Sequence, residues 1–218
     1  MHWTLLQRRI DYRRLAADMG TAASLSFVGD LLCQSMEARA QRPQGSQGLV
    51  QHDHQIDTRR LASLTTFNAL YSGGIMHFLN NWYPSLVSTA SRRALPASSR
   101  VTALLTHKRS LAHSLACACV DNVHCGLIYI PTYFLAVGIM QGNRAADAYA
   151  NLSREWWPTY ASCTGFWVPF MWANFTLVPA VMRVKAIAVG NLGWNVVIDY
   201  LAHRGCRQIA DGAPGRPA

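Results

Sequence analysis

Charge is scarce in this chain, and it is missing over long intervals. Only 14% of the 218 residues are Asp, Glu, Lys or Arg, against roughly 25% in an ordinary soluble domain. The 27 positions from Trp156 to Met182 carry no charge, and neither does the interval from Leu61 to Ser91. Other absences narrow the function. There is no glycine-rich phosphate loop and no recognisable Ser-His-Asp or Cys-His signature, so nothing argues for an enzyme, and no cofactor is expected. The net charge of +9 contains no long basic run and no alternation of aromatic with basic residues, which argues against a nucleic-acid partner. Six cysteines, at 33, 117, 119, 125, 163 and 206, form no regular framework. Lying mostly in apolar stretches, they read as buried free thiols rather than disulfides. The N-terminus shows no secretory hydrophobic region followed by a small-residue cleavage site.

What remains is a series of uncharged intervals with basic edges. A hydrocarbon core of roughly 30 Å needs about 20 mainly apolar residues in a helix. Intervals of that length at about 15–36, 61–90, 111–140 and 156–182 predict an all-α membrane helical bundle of about four transmembrane helices. The reading is one domain over 1–207, with a further short helix at 184–202 and a disordered tail at 208–218. Pro158, Pro169 and Pro179 predict kinked or broken helices in the last interval, because each removes a backbone donor and crowds the preceding turn. Pro131 interrupts the third interval, and Trp82-Tyr83-Pro84 marks the interfacial end of the second. In the first, Ala16, Gly20 and Ser24, or else Ala22 and Ser26, fall at the spacing that lets membrane helices approach closely.

The connectors are polar: 39–55, then Arg92 to Arg109, then Gln141 to Glu155. Asp57-Thr58-Arg59-Arg60 reads as a helix start, with its carboxylate at the positive end of the dipole. The N-terminal arm and the Arg92 connector hold nine basic residues against six on the Arg39 to Arg60 loop and the Arg144 to Arg154 connector, which places both termini on the basic, matrix-like face. Trp3, Leu6 and Ile10 at helical spacing fit a mitochondrial targeting helix or a helix lying on the membrane surface; both readings stand.

Ionisable groups at membrane depth are costly and are the natural functional candidates. They are Asp18, Asp30, Asp121, Arg183 and Asp199, with His77, His113 and His124. They either pair with one another and cap helix ends, or line a wet path, and the two roles are compatible. His113, Cys117, Asp121 and either His124 or Cys125 recur at three- or four-residue steps, so a helix aligns them in one stripe. These are ligand types, but Cys117-Ala118-Cys119 lacks the usual two-residue gap and no second cluster completes four ligands, so no metal centre is predicted. Arg183 is expected to bond broken-helix carbonyls or a carboxylate such as Asp30 or Asp121. Asn174 and Asn195 are expected to bridge helices. Trp156, Trp157, Tyr160 and Trp194 read as an aromatic belt.

Three segments carry a resemblance. Trp156-Trp157-Pro158, then Asn174-Phe175-Thr176-Leu177-Val178-Pro179-Ala180-Val181-Met182-Arg183, then Trp194-Asn195 resemble the C-terminal signature of the Mpv-seventeen / peroxisomal-membrane-protein-twenty-two family of small multi-span membrane proteins. Gly29-Asp30-Leu31-Leu32-Cys33-Gln34 matches its first short motif, and Trp82 and Tyr83 fit as well. The chain departs from the pattern at Gly74, where the family has a proline, and at Asp121-Asn122, whose proline is displaced to Pro131. It departs again at Trp172, which stands near a family glutamine. The resemblance implies a protein of the mitochondrial inner membrane, or of the peroxisomal membrane, with channel-like permeability to small solutes and a part in mitochondrial homeostasis and mitochondrial DNA maintenance. The partners expected are the lipid bilayer and a homo-oligomer or larger membrane complex. The other class of function is a non-catalytic scaffold or accessory subunit. A third is a soluble helical protein whose apolar stretches are buried in a partner.

Overall fold

A computed structural model of the protein describes residues 11–40, 56–107 and 110–194. The expected targeting helix, the 39–55 loop beyond position 40, Lys108-Arg109, Asn195, Asp199 and the 208–218 tail lie outside the described residues.

Among the described residues the regular structure is helical throughout, as the intervals predict. Helix α1 spans Tyr12–Ala40. Helices α2 (Thr58–Asn68) and α3 (Met76–Ala94) are joined without a break by a π-helical turn at Ala69–Ile75. After the short α4 (Arg100–Thr106), α5 (Leu111–His124) runs into a second π-helical turn, Cys125–Tyr129, and then α6 (Ile130–Met140). Helix α7 covers Ala145–Leu177, and after a 3-10 turn at Ala180–Met182 the chain closes with α8 over 183–194. Of the four intervals, Leu111–Met140 is long and apolar enough to cross a bilayer by length and composition. The last interval carries no charge at all, but its Trp, Tyr, Pro and Asn lower its mean hydropathy.

Several boundaries differ from expectation, each for a local reason. Helix α3 passes through Pro84 and runs to Ala94, a little beyond the expected interval, and Tyr83 at 1% exposure is among the most buried side chains. The connector after Met140 is only a turn at 141–144, where Gly142 takes φ +91°. Alanines at 145, 146, 148 and 150 are strong helix formers, and Asp147 complements the dipole at the helix start, so α7 begins at Ala145 rather than at the expected 156. That helix then passes through Pro158 and Pro169; the break falls at Pro179, where Val178 is extended. The Arg92–Arg109 connector contains α4, capped by the Ser99 hydroxyl.

Pro131 explains the second π-helical turn. It has no N–H to donate, and its ring crowds the carbonyl one turn back. The ladder slips so that the Ile130 amide reaches the Cys125 carbonyl. The Gly126 carbonyl is then left without a helical donor, and the Trp156 indole Nε1 of α7 donates to it at 2.9 Å. Close approach is required here: a Cβ on Gly126 would stand 2.7 Å from the Tyr160 ring.

Helices α1 and α2–α3 pack antiparallel through a ladder of polar contacts. Positions 18, 22, 26, 30 and 34 of α1 form its buried face, whereas 16, 20 and 24 face outward. The close-packing stripe is therefore the Ala22/Ser26 one. The core gathers Phe67, Tyr71, Tyr83, Cys117, Met171 and Phe175. The outside is apolar, with Leu127, Trp157 and Leu177 all more than 60% exposed, as a surface facing hydrocarbon requires.

Candidate functional site

The first motif, Gly29 to Gln34, is a latch. Asp30, at 2% exposure, accepts from Arg60 Nε at 2.9 Å, and Arg60 Nη1 also donates to Glu37 at 3.0 Å. Gln34 Nε2 donates to Asp30 at 2.7 Å, while its Oε1 accepts the Asp57 backbone N–H at 2.8 Å. Asp57 in turn caps α2 by accepting from the Arg60 amide at 2.9 Å. Burial alone would lower the Arg60 pKa; the neighbouring carboxylates of Asp30 and Glu37 outweigh it and hold the guanidinium above its ordinary value. The motif thus fixes where α2 starts relative to α1.

Higher up the same pair, Asn68 Nδ2 donates to the Ser26 hydroxyl at 3.0 Å, and His77 Nδ1 donates to Asp18 at 2.7 Å. Asp18, Asp30 and His77 are therefore all paired, as the cost of stranded charge demands.

The second motif is a self-contained helix break. Arg183 Nε donates to the Val178 carbonyl at 3.2 Å and its Nη2 to the Phe175 carbonyl at 3.2 Å, and the guanidinium lies 5.0 Å from the centroid of the Phe175 ring. Of the two roles open to Arg183, the carbonyl one is realised: it caps the C-terminus of α7, where a cation is favoured. Asn174, 2% exposed, reaches the Arg183 carbonyl at 3.5 Å and so ties α7 to the start of α8, the helix-bridging expected of it. Trp194 comes back onto α7, with its ring 4.9 Å from Phe166. The Trp156 ring stacks on Tyr160, and Trp157 is largely exposed, as a belt residue would be.

The stripe on α5 divides. His113 Nδ1 donates to the Leu105 carbonyl at 2.6 Å and ties α4 down, and Cys117 is fully buried in the core. Asp121 and His124 instead border a small cavity of about 80 Å³ with Ser72, Asn122, Cys125 and Asn191. His124 Nε2 shares a 2.9 Å hydrogen bond with the Tyr71 hydroxyl. Asn122 binds α7, donating to the Tyr160 hydroxyl at 2.9 Å and accepting from Thr164 at 3.1 Å. Among the described residues no group of three or more His, Cys, Asp or Glu could hold a metal ion.

A larger cavity, about 490 Å³, lies between α1, α2, α6, α7 and α8. Asp30, Arg60, Asn68, Gln141 and Asn191 supply its polar walls, and Tyr129, Tyr133 and Trp194 supply aromatic ones. At roughly 30 Å³ per molecule it has room for about a dozen waters or more. Gln141 and Asn191 carry no signal in the sequence, and Cys163 reads there only as a buried thiol. They lie outside both motifs, and an Asn or Gln near a connector looks like any surface amide. Trp172 turns away from both cavities and donates its indole N–H to the Leu111 carbonyl at 3.2 Å, so the position near the family glutamine braces two helices.

Comparison with known proteins agrees with the motifs. A family model described as the Mpv17 / PMP22 family matches residues 138–199. The chain is 24% identical to the mouse "Mitochondrial inner membrane protein Mpv17" over 202 residues, 93% of this chain and 98% of that one. It is 22% identical to the Dictyostelium discoideum "PXMP2/4 family protein 4" over 82% of this chain and 80% of the relative. It is 32% identical to "Protein SYM1" of Eremothecium gossypii, over 41% of this chain and 49% of the relative. No solved structure matches. With the latch at Asp30 and the helix break at Pro179 both in place, this helical membrane protein resembles the Mpv17 / PMP22 family, most directly over residues 138–199.

Proposed function

We propose that this chain is a channel or pore for small solutes, supporting mitochondrial homeostasis and mitochondrial DNA maintenance. The mitochondrial inner membrane is its location, with the peroxisomal membrane the alternative. The observation that carries the reading is the cavity of about 490 Å³ inside an apolar-skinned helical bundle, bordered by Asp30, Arg60, Asn68, Gln141 and Asn191. Polar side chains converging on open volume at membrane depth are costly unless water or a solute occupies it. In this reading four spans carry the bundle, and the broken α7–α8 junction is tolerated because Arg183 supplies donors to the Phe175 and Val178 carbonyls that the break frees.

Purified protein in a planar bilayer provides the test. Conductance above that of empty lipid supports the proposal, and silence across voltages and pH values removes it. The second reading, a non-conducting scaffold within a larger complex, is favoured by Trp172, which braces helices where a polar wall residue would otherwise stand. Native gels after gentle detergent extraction separate the two. A scaffold migrates with a larger assembly, and a band at monomer mass alone speaks against it.

A further inference from the structure

The two cavities are not independent. Tyr129, Cys163, Asn191 and Trp194 border both the small one beside Asp121 and the large one beside Arg60, so a single layer of side chains separates them. We propose that this layer is the gate of the pore: Cys163 and Asn191 close the path between the Asp121 cavity and the Arg60 cavity, and their size sets the largest solute that passes. The inference rests on the channel reading above.

Three features of the layer support it. Each of its four members carries one polar group on an otherwise apolar or compact side chain: a phenol, a thiol, an amide and an indole. Such a ring wets and dewets with small displacements. The layer is also assembled from three separate elements, the π-helical turn at Cys125–Tyr129, helix α7 and helix α8. A shift of any one of them opens it. Finally, Cys125 on the π-helical turn borders the same small cavity as Cys163, and π-helical turns are frequent at functional sites. The ionisable groups lie on either side of the layer, Asp30, Glu37 and Arg60 to one side and Asp121 and His124 to the other. Passage between the two sides therefore crosses a layer without formal charge.

The test uses full-length protein in proteoliposomes, with solute efflux as the readout and a membrane-impermeant methanethiosulfonate as the probe. Two single-cysteine versions are compared, one keeping Cys163 and one keeping Cys119, which is exposed on the outside of the bundle. The reagent is expected to modify Cys163 and cut efflux severalfold, while the version that keeps only Cys119 stays unmodified and its efflux unchanged. Cys163→Trp is expected to lower the size of the largest solute released, and Cys163→Ala to raise it. The gate is overturned if wild-type protein releases solute but Cys163 stays unmodified, or if its modification leaves efflux unaltered. If the wild-type protein releases nothing, the channel reading falls and takes the gate with it.

Discussion

Gly73 presses directly against the backbone of Met19. A Cβ built at Gly73 would stand 2.8 Å from the Met19 nitrogen and 2.9 Å from the Asp18 carbonyl oxygen. This is backbone against backbone, which no rotamer change relieves. Gly73→Ala is therefore expected to push α1 off the π-helical turn, costing about 1–3 kcal/mol as overpacking does, and to lengthen the His77–Asp18 contact. Gly20, with nothing within 4 Å of its would-be Cβ, provides the control. Detergent-micelle unfolding of the two alanine variants checks the contrast.

The Arg60 latch predicts an asymmetry. Arg60→Met leaves Asp30 buried without its cation. The expected loss is roughly 3 kcal/mol, the low end for breaking a buried pair because Arg60 is itself one-third exposed. Adding Asp30→Leu to Arg60→Met should restore part of that loss, since the uncompensated charge is then gone. A double-mutant cycle in the same micelles reads the coupling.

A second cycle probes the π-helical turn before Pro131. Trp156→Phe removes the donor to the Gly126 carbonyl and should cost about 1–3 kcal/mol, the desolvation penalty of an unpaired buried acceptor. Pro131→Ala supplies a new backbone N–H that lets the helical ladder return to its normal register. In that background Trp156→Phe is expected to cost clearly less. Equal costs in both backgrounds would break the link between the proline and the indole.

Arg183 spans two carbonyls with one planar group, Nε on Val178 and Nη2 on Phe175. A lysine ammonium cannot reproduce that fork. Arg183→Lys is expected to destabilise the α7–α8 junction by about 1–2 kcal/mol, most of two neutral-acceptor hydrogen bonds. Protease sensitivity at 178–182 should rise with it.

How far these features could be read from the residues alone depended on whether the physics was local. The helix start at Asp57 and the break at Pro179 follow from short-range rules of capping and proline sterics, and the structure has both; of the thiols, Cys33, Cys117 and Cys163 are buried as their apolar context suggests, Cys125 is half-buried, Cys119 is exposed, and Cys206 lies outside the described residues. Tyr83, expected near the headgroups, is instead turned inward and buried, and the helix absorbs Pro84 and runs on to Ala94. Partner choice is a question of register. That Asp30 needed a cation was evident, but selecting Arg60 rather than Arg183 requires knowing that α1 and α2 run antiparallel with positions 30 and 60 level. The cavity-facing amides Gln141 and Asn191 carried no local signal, since only the meeting of several helices gives them their setting.

The central claim is that a wet interior lies inside a lipid-facing shell, and substituted-cysteine labelling in the membrane tests it most directly. In a protein freed of its native cysteines, Asn68→Cys lies on the wall of the large cavity and Leu127→Cys on the exposed apolar outside. The account predicts that a water-soluble, membrane-impermeant thiol reagent modifies position 68 and leaves 127 untouched. Modification of 127 with 68 protected would place water outside and a dry core within, and would contradict it.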